Sequence, residues 1–182
     1  MSLFELYFIL GLQHIADLKG YDHILFILTL CAVYGLKEWK RVLVLITAFT
    51  IGHSLTLALA TLDLVRVDGD LIEFLIPLTI FITALANLFS RKQKVSPFQH
   101  YFKYGAALFF GLIHGLGFSN YLRSLLGSER GLALPLFSFN VGIEVGQIII
   151  VSIIMLLTKV VVDILGLPRR EWHVLLLSLL HI

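Results

Sequence analysis

The sequence has little with which to build a disulfide framework or a soft-metal site. It contains one cysteine, Cys31, and two methionines, Met1 and Met155. A single cysteine cannot form an internal disulfide, and Cu(I) sites usually require thiolate or thioether ligands. We therefore disfavour a Cu(I) carrier, and we expect Cys31, which lies within an apolar run, to pack as a small apolar side chain.

Charged residues are also scarce. Asp, Glu, Lys and Arg make up 14% of the 182 residues, whereas hydrophobic residues make up 58% and the mean hydropathy is +0.93. A soluble domain of this length could not bury so much apolar surface. The composition therefore predicts an all-α, polytopic transmembrane helical bundle that forms a single domain, residues 1–182. The net charge of +2 gives no reason to expect a nucleic-acid partner. The expected partners are the lipid bilayer, a metal ion and, in an oligomer, further copies of the chain.

Common catalytic motifs are absent from the sequence. It has no P-loop, no dinucleotide-binding fingerprint, no GxSxG and no HExxH. The two histidines and the glutamate of HExxH form the usual zinc site of helical metalloproteases. Its absence argues against a protease of that kind.

Apolar runs separated by charged segments predict about seven helices. The first two are short for a hydrocarbon core that needs about 20 residues per span, and they are expected to form a hairpin whose turn dips into the protein. The last run is also too short to span, so we expect either an incomplete final helix or a truncated chain. The predicted spans are 2–18, 22–37, 41–62, 70–90, 101–124, 132–162 and 172 onward.

The charges of the connecting segments predict an orientation. Segments 37–41, 91–103 and 168–171 are basic, whereas segment 63–70 is acidic. Basic loops remain on the cytoplasmic side, so the N-terminus is expected in the cytoplasm.

Three of the predicted helices each carry one histidine at a similar depth. His14, His53 and His114 lie on the first, third and fifth helices, which would run in the same direction. Each is about 12 residues, or about 18 Å, from the inner end of its helix. Ionisable groups are costly inside a membrane and usually serve a function there. The pattern therefore predicts a metal or proton site.

Carboxylates and a further histidine lie close to this set. Asp17, Asp22 and His23 follow His14, and Glu73 lies near the outer end of the fourth helix. Imidazole and carboxylate together suit nickel, zinc, cobalt, manganese or Fe(II). Asp22 could instead cap the second helix, and it could do so while orienting a ligating histidine.

Two polar stripes are expected to face the interior of the bundle. The third helix carries Thr47, Thr50, His53 and Ser54, and the sixth carries Asn140, Glu144 and Gln147. A lone carboxylate at this depth is costly, so Glu144 is expected to be protonated, paired with a charged histidine or bound to a cation. Hydrogen bonds between helices are the alternative for these stripes, and the better explanation for the threonines. The same explanation is preferred for Thr79, Thr83 and Asn87 on the fourth helix.

Four segments together resemble the HupE/UreJ membrane family, in particular its second, bacterial branch. They are GLQHIADLKGYDHILFIL, TAFTIGHSLTLALATL, GLIHGLGFS and FNVGIEVGQ, in this order. The resemblance implies a bacterial inner membrane, a hydrogenase or urease accessory function, and permeation of nickel or cobalt. The family signature, a histidine followed by Asp-His, falls on His14, Asp22 and His23. The spacer has seven residues here instead of the familiar five.

The sequence leaves three functions open. The first is a permease or binding protein for nickel, cobalt or zinc. The second is an intramembrane zinc-dependent hydrolase that acts on a lipid or a membrane-anchored peptide. In the third, the histidines only form hydrogen bonds between helices. The predicted metal-site residues are His14, Asp22, His23, His53, His114 and Glu144, and the predicted supporting residues are Asp17, Thr50, Glu73, Asn140 and Gln147.

Overall fold

The chain folds as a bundle of α-helices, which confirms the fold class predicted from composition. The computed structural model describes residues 1–89, 97–126 and 131–178. A short 3-10 turn, Leu36–Glu38, precedes the third helix, and a π-helix, Lys159–Ile164, continues the sixth. The α-helices are α1 (Leu3–Ile15), α2 (Asp22–Cys31), α3 (Trp39–Thr61), α4 (Gly69–Phe89), α5 (Pro97–Leu126), α6 (Ala133–Thr158) and α7 (Arg169–Ser178).

Three helical segments in the described part of the chain are long and apolar enough to cross a membrane. They are Leu36–Thr61, Gly69–Asn87 and Ala133–Ile164. Helices α1 and α2 are apolar but shorter, with 13 and 10 residues. Since a span needs about 20 residues, neither is long enough to cross by itself, as the sequence indicated.

The first two helices form a hairpin with a defined turn. A capping box between Ser2 and Glu5 begins α1. The helix ends at Ile15, earlier than predicted, and the Asp17 carboxylate then accepts a hydrogen bond from the backbone N–H of Lys19, at 2.8 Å. Such a local bond favours a turn over a helix. Residues 16–21 therefore reverse the chain and bring the end of α1 close to the start of α2.

Helix α2 also ends earlier than the sequence predicted. It stops at Cys31, where the backbone N–H of Tyr34 bonds to the Cys31 carbonyl oxygen at 2.9 Å. Gly35 is extended and begins the 3-10 turn. The Cys31 side chain is buried, as expected.

Two pairs of helices cross at unusually short distance. A Cβ atom added at Gly11 of α1 would overlap the Phe139 carbonyl of α6, and one added at Gly111 of α5 would overlap the Phe49 carbonyl of α3. Gly142 and Gly52 make the reciprocal approaches. Small residues at such crossings let helix backbones pack directly, which drives helix association in membranes.

The two crossings repeat the same contacts. Gly11 faces the backbone from Phe139 to Ile143, as Gly111 faces the backbone from Phe49 to His53. Helix α1 thus corresponds to α5, and α6 to α3. The same correspondence is visible in the sequence, where Gly-Leu-Gln-His at residues 11–14 is similar to Gly-Leu-Ile-His at residues 111–114. His14 and His114, which end these two segments, therefore occupy equivalent positions at the two crossings.

Helices α3 and α6 are also joined by side-chain hydrogen bonds. Thr47 Oγ1 donates to Glu144 Oε1 at 2.7 Å, and Thr50 Oγ1 donates to Gln147 Oε1 at 2.7 Å. The two polar stripes therefore face each other. This arrangement supports the interpretation that the threonines connect helices.

Replacing both threonines, in a Thr47→Val, Thr50→Val variant, should lower the free energy of unfolding by about 1–2 kcal/mol, the amount expected for two such bonds in a membrane protein. Thermal unfolding in detergent measures this loss. Ser152→Ala is the control, because the hydrogen bond described for Ser152 Oγ stays within α6, to the Ile148 carbonyl at 2.7 Å. An equal loss in the control variant would contradict the assignment.

Candidate metal centre

Three histidines from three helices meet inside the bundle. His14 lies in the last turn of α1, His23 is the second residue of α2, and His53 lies within α3. One ring nitrogen from each lies within 4.8 Å of the other two. We call these residues the histidine cluster.

The spacing of the rings suits a single metal ion. The ring centroids are 4.6 Å apart for His14 and His23, 5.7 Å for His23 and His53, and 5.8 Å for His14 and His53. With metal–nitrogen bonds of about 2.0–2.1 Å, two imidazoles on one tetrahedral ion have centroids about 5 Å apart. Small adjustments of the side chains would therefore let all three bind the same ion.

Four of the six ring nitrogens of the cluster are buried without a hydrogen-bond partner in the described part of the chain. His53 has 0% of its surface exposed, and both its nitrogens are buried and unpartnered. Nε2 of His14 and Nε2 of His23 are also buried and have no partner. A buried polar atom without a partner costs about 1–3 kcal/mol, so each such group requires an explanation. A bound cation would give these nitrogens the partner they lack.

His114 lies beside the cluster. Its ring centroid is 5.4 Å from that of His23, and 1% of its surface is exposed. Its Nε2 lies 3.0 Å from Thr79 Oγ1 of α4. The sequence predicted that His14, His53 and His114 converge. In the structure the three closest histidines are His14, His23 and His53. His114 lies at the edge of this set.

Aromatic rings surround the histidines. The Phe118 ring lies 3.8 Å from that of His14, centroid to centroid, and stacks on Phe139 at 5.2 Å. On the other side, Phe49 lies 6.0 Å from His53 and 5.2 Å from His114. An apolar shell of this kind restricts water and holds ligand rings in place. We did not predict the role of Phe118, although it lies one helical turn after His114.

A cavity of about 670 Å³ leads to the cluster. His14, His23 and His114 line it, whereas His53 is fully buried. Three carboxylates line the same cavity, namely Asp17, Asp22 and Glu73. The charged residues of the lining are these three carboxylates and two arginines, Arg66 and Arg123.

The two arginines that line the cavity belong to an ion-pair network with Asp63. Arg123 of α5 donates to Asp63 Oδ1 at 3.0 Å and also to the Ala60 carbonyl at the end of α3. Arg66 Nε donates to Asp63 Oδ1 at 2.6 Å. Hydrogen bonds from Arg66 and Arg123 lower the pKa of the Asp63 carboxyl to about 2. This link between α3 and α5 therefore stays charged throughout the physiological pH range.

Asp22 does not occupy the capping position of α2. Tyr21 stands at the cap of α2 without a side-chain bond, and Asp22 is the first helical residue. The carboxylate of Asp22 is half-buried and lines the cavity beside His23. It is thus placed to attract a cation or to orient a ligand.

The polar residues of α6 form a separate group. Glu144 accepts the bond from Thr47 and is not part of the described cavity lining, and its Oε2 is buried without a partner among the described residues. Gln147 has 0% of its surface exposed and bonds to Thr50. Asn140 Nδ2 donates to the Leu136 carbonyl of its own helix at 2.8 Å.

The fold and the cluster define a class: a helical membrane protein that buries several histidines next to a cavity lined in part by carboxylates. The chain belongs to the HupE/UreJ family, because the family model described as HupE / UreJ protein matches residues 1–180. This match confirms the family identified from four sequence segments. Searches of curated proteins and of solved structures give no match to the chain.

Proposed function

We propose that this protein binds a divalent transition metal, nickel, cobalt or zinc, at the histidine cluster and lets it permeate the membrane. The observation that carries the proposal is His53, whose two buried nitrogens have no partner in the described chain while His14 and His23 lie within ligand distance. Imidazole is a good ligand for all three metals.

The charge and burial of the residues in and around the cavity suggest the order in which a cation would meet them. Asp17, Asp22 and Glu73 would attract the cation into the cavity. The ion would exchange water for the imidazoles of the cluster, with His114 close by. Glu144 is a proposed source of compensating charge, because one of its oxygens is buried without a partner among the described residues. The acidic segment 63–70 and the basic segment 37–41 support the proposal that the protein is multi-pass, with the cavity open to the outside and the N-terminus in the cytoplasm.

The interpretation that the histidines only connect helices has little support at the cluster. Within the described residues, His114 has such a bond, to Thr79, but His53 has none. A structural histidine in a membrane protein would be expected to use at least one ring nitrogen.

Reconstituted vesicles test permeation directly. Vesicles that contain the protein and a trapped metal indicator should show a rise in internal nickel, cobalt or zinc when the metal is added outside. A rise equal to that of protein-free vesicles would contradict permeation. Equilibrium metal analysis of the purified protein tests binding separately.

Metal affinity should fall on acidification, because an imidazole nitrogen binds either a proton or a metal. We expect a loss of about tenfold or more between about pH 8 and about pH 3. Asp63 remains ionised over this range, since its pKa is held at about 2. Equal affinity at both ends of the range, measured by equilibrium dialysis, would contradict ligation by histidine.

A second candidate is the zinc-dependent hydrolase, because the cavity next to the cluster offers an open side and nearby carboxylates. Catalytic zinc sites combine three protein ligands with an open position for water, and a carboxylate such as Asp22 could act as general base. Turnover of lipid or membrane-anchored peptide by zinc-loaded protein would favour it. Metal accumulation without turnover would favour the permease.

A further inference from the structure

We propose that Thr79 is a positioning residue that sets the tautomer of His114, so that Nδ1 of His114 is a fourth imidazole ligand beside the histidine cluster. This inference rests on the proposed metal-binding function and deepens it.

The hydrogen of the Thr79 hydroxyl has a nearer acceptor than His114. Thr79 Oγ1 donates to the Ile76 carbonyl oxygen at 2.7 Å, and the same oxygen lies 3.0 Å from His114 Nε2. A hydroxyl carries one hydrogen and two acceptor lone pairs. In the contact with His114, the oxygen of Thr79 is therefore the acceptor and Nε2–H is the donor.

This assignment determines which nitrogen of His114 can bind a metal. A neutral imidazole carries one N–H, so protonation at Nε2 leaves the lone pair on Nδ1. Nδ1 is buried and has no partner in the described part of the chain. It is an acceptor that lacks a donor or a cation.

The surroundings of His114 favour a cation over another partner. The ring centroid of His114 lies 5.4 Å from that of His23, the member of the cluster next to it. The rings of Phe26 and Phe49 each lie 5.2 Å from it and offer no donor. The cavity reaches His114 as it reaches His14 and His23.

Helix α4 supplies a matched control. Thr83, one turn after Thr79, donates its hydroxyl to the Thr79 carbonyl oxygen at 2.7 Å. It has the same residue type on the same helix, and the hydrogen bond described for it stays within α4. A partner that orients a metal-binding histidine typically contributes about 10–100-fold in metal affinity. The two threonines are therefore expected to respond very differently to substitution.

The test compares Co(II) binding to the purified full chain in detergent for the wild type and three variants. Thr79→Val should weaken the affinity about 10–100-fold and change the visible Co(II) spectrum, whereas Thr79→Ser should restore both. Thr83→Val should bind like the wild type. Wild-type affinity in Thr79→Val would overturn the proposal, as would a failure of the folded Thr79→Ser protein to restore binding.

Nitrogen NMR of the metal-free wild type tests the tautomer without any variant. His114 should carry its proton on Nε2, and a proton on Nδ1 would overturn the inference even if Thr79→Val did not fold. If the wild type binds no Co(II) while the tautomer is as stated, the metal-binding proposal fails but the role of Thr79 at His114 stands. The two failures are therefore distinguishable.

Discussion

Vesicles that contain the His53→Ala, His114→Ala double variant should accumulate nickel, cobalt or zinc no faster than protein-free vesicles. The two substitutions remove imidazoles from α3 and α5, including both nitrogens of His53 and Nδ1 of His114, which are buried without a partner in the described chain. We expect metal affinity to fall by about 100-fold or more. This loss should exceed the roughly 10–100-fold loss that follows when a residue that only orients a ligand is changed. Accumulation at the wild-type rate would rule out permeation through this cluster.

His100→Ala is the matched control for this experiment. His100 lies near the start of α5, where its ring faces that of Tyr104 at 6.4 Å. It is not part of the histidine cluster or of the described cavity lining. Its removal should leave both accumulation and metal affinity unchanged.

His53→Leu separates binding from folding. Leucine is apolar and similar in size to histidine, and it replaces two buried nitrogens that lack partners. Without metal, this variant should be at least as stable as the wild type, by up to about 1–3 kcal/mol, yet it should not bind the ion. A large loss of stability in the metal-free variant would indicate that His53 has a structural partner instead.

The second large effect is expected at the helix crossings. Gly111→Ala should lower the free energy of unfolding by about 3 kcal/mol or more, because the added Cβ would overlap the Phe49 carbonyl, and backbone cannot move aside as a flexible side chain can. Gly11→Ala should cost a similar amount, since Gly11 makes the equivalent approach to Phe139. Chemical or thermal unfolding in detergent provides the measurement.

Gly105→Ala is the control on the same helix as Gly111. A Cβ at Gly105 would meet no atom within 4 Å. This variant should be neutral or stabilised by up to about 1 kcal/mol, since alanine is the better helix former. If Gly111→Ala unfolded like Gly105→Ala, the close crossing of α3 and α5 would be wrong.

Composition and periodicity predicted the fold class and most helix limits. The predicted spans 41–62 and 70–90 agree with α3 and α4 to within two residues at each end. The predicted ends of the first two helices were too late. Local bonds of the Asp17 carboxylate and of the Tyr34 backbone determine those ends, and hydropathy does not register such bonds.

Candidate site residues were harder to place than helices. Spacing shows which residues share a helix face, but it does not show which helix lies opposite. The stripes on α3 and α6 were recognised, yet their pairing through Thr47 and Glu144 is a tertiary contact between segments far apart in sequence. For the same reason the prediction that Thr79 connects helices did not identify His114 as the side chain it meets.

The position of His23 depends on the turn that precedes it. With seven residues between His14 and Asp22, sequence alone did not show how closely His14 and His23 would approach. The turn of residues 16–21 reverses the chain and brings the two rings to 4.6 Å. His23 thus lies closer to His14 and His53 than His114 does. The role of all four as ligands remains a proposal.

X-ray absorption of zinc- or nickel-loaded protein tests the central claim most directly. The wild type should bind about one ion per chain and show the scattering pattern of at least three imidazoles, at metal–nitrogen distances of about 2.0–2.1 Å for zinc. His53→Leu should lose that pattern. A wild-type spectrum without imidazole ligands, or one that does not change when His53 is replaced, would contradict the account.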